Sequence, residues 1–431
     1  MACQWDDLLC EWRATGGAPF RLEKTRPFVM TVRFLEVRRF RFNLPQRIAA
    51  GLLLLFLAQG LWLTGHQTLS DRDYTYARCG RETWERPSAL AGYYTTCGNI
   101  HDGILGYRLA GLPLTLNLLV ERGLDTFRKP EDKVIQTGGE VSAWELRHQM
   151  THVLFLLRLP FLLAGVVLGG GLWWVTRRLY GNLGGYTALA LYCFSPAVLR
   201  ACVAPDTEVL AALGVYGGVY TCIGVAHAMQ GPRKKWRPRI VLLTAAFGLA
   251  ASSHIAALPV VALLGLVAML WVSEGRRSQV LPVVLIGAAG ALACVFACYG
   301  FSPDAFSYVF RSSAGFVSVS LDPAKHFFSR IENAGIAVSA AASLVLFLGI
   351  RRSRYFGNTT PFVCAVVLFV LILTGTQGSP WLWAVPFLLT FVGGVFADAY
   401  EGPRGHMAMV AGGAILVLQA VFCVLSLPGL L

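Results

Sequence analysis

The chain has 431 residues, 55% of them hydrophobic and only 14% charged, with a formal net charge of +13. Soluble domains carry about 25% charged residues, and a soluble fold of this composition would need many helices apolar on every side, so composition excludes one. The positive charge does not mark a nucleic-acid binder, because no RGG segment, zinc-finger spacing or aromatic–basic interleaving accompanies it.

Residues 1–47 form a basic segment. Within it VRFLEVRRFRF (Val32 to Phe42) suits either an amphipathic stretch on an anionic membrane face or a solvated tail. It is not a cleavable signal, since the first apolar run begins too late, and Met30 is a second candidate start. Apolar runs long enough to cross a bilayer then recur. They are read at 48–64, 153–175, 184–203, 207–228, 240–256, 258–272, 280–299, 334–350, 360–374, 381–398 and 407–427. The expected fold class is therefore all-α: a polytopic membrane protein with about eleven transmembrane helices in a single domain, 48–431. Two large loops, 65–152 and 300–333, interrupt it.

Basic residues alternate along these connections. Arg177 and Arg178, then Arg233, Lys234, Lys235, Arg237 and Arg239, then Arg276 and Arg277, then Arg351, Arg352 and Arg354, and finally Arg404 fall on one side. The positive-inside rule makes that side cytoplasmic. The N-terminus is then cytoplasmic and the C-terminus extracytoplasmic, and both large loops lie outside. Sixteen of the 24 acids lie outside with them, so the working face is expected to be extracytoplasmic. Within loop 65–152, Ile104 to Val120 is too short and interrupted to span and fits a helix lying in the interface. No fixed-period repeat marks an inverted-repeat transporter.

Ser70 to Pro87, SDRDYTYARCGRETWERP, follows the first span and holds Asp71, Asp73, Glu82 and Glu85. If it is extended, Asp71 and Asp73 share a face. A carboxylate beside the apolar boundary is partly desolvated, which raises its pKa and suits a general base; an ordinary solvated acid is the plainer alternative. Asp206 and Glu208 follow Pro205 and read as a helix start favoured by the macrodipole, or as acids lining the same cavity as Asp71. His254 ends a span, as a site residue or as a hydrogen-bonded boundary histidine. His148 and His152 lack the acid of the HExxH zinc pattern, so no metal site is expected. Gly165 and Gly169 form a GxxxG read as helix packing. Cys79 and Cys97 share the first outer loop and are expected to pair, whereas most other cysteines lie in apolar runs as small hydrophobes.

With these residues in order, the chain resembles the membrane glycosyltransferases of the GT-C type, in the dolichyl-phosphate-mannose protein mannosyltransferase and aminoarabinose transferase superfamily. The family's first outer loop opens with Asp-Glu and an aromatic two residues after the Asp; here Asp71-Arg72-Asp73-Tyr74 stands there, which aligns Asp71 with the family's catalytic Asp and puts Arg72 in place of the Glu. The His of a later His-Pro-Pro-Leu element matches His101, followed by Asp102 and YRLAGLPLTL. Arg158 to Pro196 carries the Arg-x-Pro start, the basic pair and the Ser-Pro ending. Asp206 falls where the family opens its fourth span with an Asp, and His254 where it usually has a Lys. SPWLWAVPFLLTFVGG resembles a late span, without the family's Arg.

The resemblance implies a transferase that moves a sugar from a polyprenyl-phosphate donor to an extracytoplasmic acceptor. Asp71 or Asp73 would be catalytic, with Arg72, Tyr74, Arg78, His101, Asp102, Asp206, Glu208 and His254 around the substrates and no cofactor. The expected location is a bilayer, most simply a bacterial inner membrane. Two other readings stay open: a catalytically silent GT-C-fold subunit with partners in a membrane complex, and a transporter, which the near absence of charge within the spans disfavours.

Overall fold

The computed structural model describes residues 43–85, 103–125, 150–231, 236–273, 276–304, 306–307, 325, 327, 329–349, 355–373 and 380–430. The basic segment before residue 43 and the expected Cys79–Cys97 pair's second member lie outside them. Cys79 itself is buried and disulfide-bonded.

Helices α1 (Leu44–His66), α2 (Asp71–Glu85), α3 (Ile104–Asp125) and α4 (Met150–Cys193) come first. After them run α5 (Pro196–Val203), α6 (Glu208–Met229), α7 (Arg237–Ser253), α8 (Ala257–Val272) and α9 (Val280–Cys298). The series ends with α10 (Ala334–Gly349), α11 (Tyr355–Leu373), α12 (Val385–Tyr400) and α13 (Gly405–Ser426). No strand occurs among the described residues. Among the described residues seven segments are long and apolar enough to cross a membrane, and shorter apolar helices lie at Ile104–Val120, Ala257–Val272 and Asn358–Leu371.

α4 has 44 residues, about 66 Å at 1.5 Å per residue and twice a bilayer's hydrocarbon core. Gly181 divides it, at φ 81° and ψ −174°, a conformation open to glycine. The two halves then run antiparallel: a Cβ on Gly185 would lie 2.9 Å from Cβ of Arg177, and Tyr192 donates its hydroxyl to the Gly165 carbonyl at 2.7 Å. The second and third expected spans are thus one helical hairpin with a single-residue turn. Gly165 and Gly169 receive Cys202 and Tyr192 at contact distance, the packing use of GxxxG.

α12 and α6 form the centre, with 89% and 67% of their apolar windows buried, against 11% in α13. Val410, Leu418 and Leu425 on α13 are exposed. Lipid covers such a face in an integral membrane protein. Close backbone crossings hold the centre: Gly184 of α4 against Gly393 of α12, and Gly214 of α6 against Ala250 of α7. Without water, the few polar side chains pair between helices. The Tyr216 hydroxyl meets Thr390 Oγ1 at 2.8 Å, and Gln419 of α13 donates to the Phe194 carbonyl at 3.0 Å.

The segment expected as an extended acidic loop is helical. α2 begins with a capping box: Asp73 N–H donates to Ser70 Oγ at 3.2 Å, and Ser70 N–H donates to Asp73 Oδ2 at 2.9 Å. It then crosses α3 backbone on backbone, since a Cβ on Gly111 would fall 2.2 Å from the Gly80 carbonyl oxygen. As expected, the stretch from Ile104 is a helix; Arg108 on it donates to the Cys298 carbonyl at the end of α9, where orphan carbonyls need donors.

Candidate functional site

The chain ends that the charge pattern assigns to one side meet one another. Gln67 donates to the Leu430 carbonyl at 2.9 Å, Arg200 pairs with Glu332 at 2.8 Å, and Phe327 packs on Trp381 at 5.6 Å between ring centroids. At this end α2, α3, α6 and α7 bring Arg72, Asp206, Glu208 and His254 towards one another.

Arg72, in the first turn of α2, pairs with Asp206 at 3.0 Å. Its guanidinium is half exposed, whereas the Asp206 carboxylate is largely covered. Burial acts to lower the Arg72 pKa, but Asp206 together with Tyr76, Tyr107 and Glu208 outweighs it, and the net shift is upward. Beneath this pair Tyr76 of α2 stacks on Tyr107 of α3, with centroids 4.0 Å apart. Burial raises the Tyr76 hydroxyl well above its ordinary value and Tyr107 to about 12. Both are therefore neutral hydroxyls at any physiological pH.

α3 starts at Gly103, with φ +82°. A Cβ there would lie 2.3 Å from Thr207 Cγ2 and 2.7 Å from the Ser253 carbonyl oxygen. This contact brings Asp206 and Glu208, on either side of Thr207, towards His254, which follows Ser253. Glu208 is buried in the first turn of α6, where the macrodipole favours its charge. His254 is buried at the end of α7, its ring edge-on to Trp383 at 5.1 Å.

Asp71 and Asp73 separate completely. On a helix, residues two apart diverge, and here Asp71 is exposed while Asp73 is buried. Arg158 Nε and Nη2 donate to the two oxygens of Asp73 at 3.0 and 2.6 Å, and Ser70 Oγ donates to it at 2.6 Å. Arg158 also donates to Gln67 Oε1 and to the Thr68 carbonyl. Burial pushes the Asp73 pKa up, but the hydrogen bonds from Arg158 and Ser70 outweigh it, so the net shift is downward. Partial desolvation, expected of both acids, falls on Asp73 alone, and its partners keep it a carboxylate.

Tyr74 is exposed, and Arg78 pairs with Glu82 one turn on at 3.5 Å. His101 and Asp102 lie outside the described residues, immediately before Gly103. Among the described residues no group of three or more His, Cys, Asp and Glu is placed to hold a metal ion. Arg158, Tyr76, Tyr107 and Trp383 belong to the site or its support but were not singled out from the sequence. A lone Arg at the head of an apolar run was the available signal for Arg158.

The helical membrane fold is one known from solved structures. Two solved structures of ArnT from Cupriavidus metallidurans share it. The apo structure matches with a TM-score of 0.55 at 14% identity, over 86% of this chain and 62% of that one. The structure bound to undecaprenyl phosphate matches with a TM-score of 0.53 at 14% identity, over 89% and 70%. This chain thus spans less than two thirds of the apo structure's length. No family model matches the sequence, and no curated protein matches it.

Proposed function

We propose that this protein is an integral-membrane glycosyltransferase that moves a sugar from a polyprenyl-phosphate donor to an acceptor hydroxyl outside the cytoplasm. The observation that carries the proposal is the fold shared with a structure bound to undecaprenyl phosphate, together with an acid, Asp71, exposed in the first turn of α2 next to Arg72. Asp71 is the base that takes the acceptor proton. Arg72, steered by Asp206, faces the donor phosphate, with Arg78 beside it, and a guanidinium suits phosphate because it can donate two parallel hydrogen bonds. His254 and Glu208 line the deeper side, and Tyr76 and Tyr107 supply neutral hydroxyls. Asp73 holds the start of α2 and leaves Asp71 free to react.

The test is transfer from labelled polyprenyl-phosphate sugars by membranes carrying the wild type or Asp71→Asn. Positioned proton transfer is worth about 100- to 10,000-fold, so Asp71→Asn should lose at least 100-fold with an unchanged unfolding temperature. Wild-type transfer by Asp71→Asn would remove Asp71 as the base. One observation favours the second reading, a catalytically silent subunit: Arg72 stands where the resembled family has a Glu and is engaged by Asp206. Under that reading no donor supports transfer, and the protein copurifies with a membrane partner.

A further inference from the structure

Three helices begin at one point beside the candidate site. Arg72, in the first turn of α2, pairs with Asp206 at 3.0 Å. Gly103, just before α3, lies against Thr207, just before α6. Tyr76 stands one turn after Arg72 on the same face of α2, and Tyr107 is in the first turn of α3. Side chains lean towards the N-terminus of their helix, so both phenols lie back over the place where Arg72 meets Asp206. Direct contacts agree. The two rings stack with centroids 4.0 Å apart and 9° between their planes. A Cβ on Gly106 would lie 2.8 Å from Thr207 Cγ2 and 3.4 Å from Tyr76 Cε1. Arg72, Tyr76, Tyr107, Gly106, Thr207 and Asp206 therefore close a ring, joined in turn by helix spacing, ring stacking, chain adjacency and an ion pair.

This ring holds more hydrogen-bond donors than it uses. The two hydroxyls bond to each other, which spends one of their two protons and leaves one for a third group. Tyr76 is buried and Tyr107 only partly so, which puts Tyr107 on the open side. We infer that Tyr107 is a further catalytic residue: its hydroxyl donates a hydrogen bond to the phosphate of the lipid donor that Arg72 meets, and Tyr76 is the positioning residue behind it. The inference rests on the transferase reading.

The reaction calls for such a donor. The acceptor oxygen bonds to the anomeric carbon as the bond from that carbon to the phosphate oxygen breaks. The electron pair of the broken bond goes to the phosphate oxygen, and the acceptor proton goes to Asp71. Negative charge grows on the phosphate, and fixed donors aimed at it lower the barrier more than they strengthen binding. The Arg72 guanidinium supplies charge and two parallel bonds. A phenol adds a donor without adding charge, polarised by the hydroxyl behind it. Stacking on Tyr76 sets its direction before the lipid arrives.

Tyr107→Phe keeps the ring and the stack and removes only the hydroxyl. The full chain is tested in two ways: retention of undecaprenyl phosphate, counted by native mass spectrometry, and transfer rate at saturating labelled donor. Tyr107→Phe should weaken retention about fivefold and cut the saturated rate about tenfold or more, with an unfolding temperature within about 2 °C of the wild type. Tyr76→Phe loses the same inner hydrogen bond but not the outward donor, so its rate should fall clearly less. Equal losses in the two variants would mean support of the fold alone and would overturn the inference. The ratio of wild-type to Tyr107→Phe rates should stay constant between about pH 6 and 9, because burial pushes this phenol up to about 12. A ratio that grows with pH would make Tyr107 a base and overturn the inference too. Unchanged retention and rate in Tyr107→Phe would also overturn it and leave the transferase reading standing. Weakened retention without transfer by the wild type from any donor would keep the phosphate contact and refute the transferase reading instead.

Discussion

Replacing Asp73 with alanine would strand Arg158 in a site where its side chain is 3% exposed. The guanidinium now donates to both Asp73 oxygens, to Gln67 and to Thr68. Without the carboxylate, half of these bonds and the whole counter-charge disappear. Removing one partner of a buried pair costs about 3–5 kcal/mol, a large share of the usual 5–15 kcal/mol, and corresponds to a fall of about 3–6 °C in unfolding temperature for a chain of this length. Asp71→Asn, at an exposed position, should shift it by no more than about 0.5 kcal/mol. Differential scanning fluorimetry in one detergent compares them. Because paired apolar replacement is tolerated far better than an orphaned charge, Asp73→Leu combined with Arg158→Leu should recover most of the loss. The pH dependence has a definite sign. The folded Asp73 pKa is lowered, so its contribution is complete above the unfolded value of about 3.9 and is lost only as pH falls through the lower folded value. From pH 5 to 8 this group gives no slope. An Asp73→Ala protein that unfolds within about 1 °C of the wild type would refute this account of the network.

Gly111→Ala places a methyl 2.2 Å from the Gly80 carbonyl oxygen, so α2 and α3 must part; the expected result is a drop of several degrees in unfolding temperature, and an unchanged value would contradict the crossing. Arg72→Gln breaks a half-exposed pair worth about 0–1 kcal/mol, so stability should hold while transfer falls at least tenfold; intact transfer would remove Arg72 from the donor site. Lys234→Cys and Lys325→Cys should react with impermeant maleimide from opposite faces of the membrane, and labelling from the same face would overturn the alternation.

The apolar helices were legible because an apolar run near twenty residues has few other uses; each expected span overlaps helix, but 184–203 is broken between Cys193 and Pro196, and among the described residues seven segments, not eleven, are long and apolar enough to cross. The turn at Gly181 was legible through the arginines before it, which placed a connection between the second and third spans. α2 was not, because its sequence, DRDYTYARCGRETWE, is polar throughout. It is helical through its capping box and its contact with α3, and neither has a signature in the hydrophobic pattern. Only the resemblance told Asp71 from Asp73; the local residues could not, since what separates the two physically is an arginine 85 residues after Asp73. Asp206 carried a helix-start signature, but its pairing with Arg72 spans 134 residues and left no mark in either segment.

The crossing of Gly80 and Gly111 has a mechanical consequence. With two backbones in direct contact at the crossing and Tyr76 stacked on Tyr107 beside it, α2 and α3 resist shear and move as one plate. Asp73 and Arg158 pin one corner of that plate to α4, and Arg108 fastens it to the end of α9. Its edge on α6 is different in kind, for there the join is a half-exposed ion pair and the flank of Thr207 against two glycines. That edge is the compliant seam. Anything that widens the molecule there separates Arg72 from Asp206, so opening the seam and freeing that guanidinium are one motion.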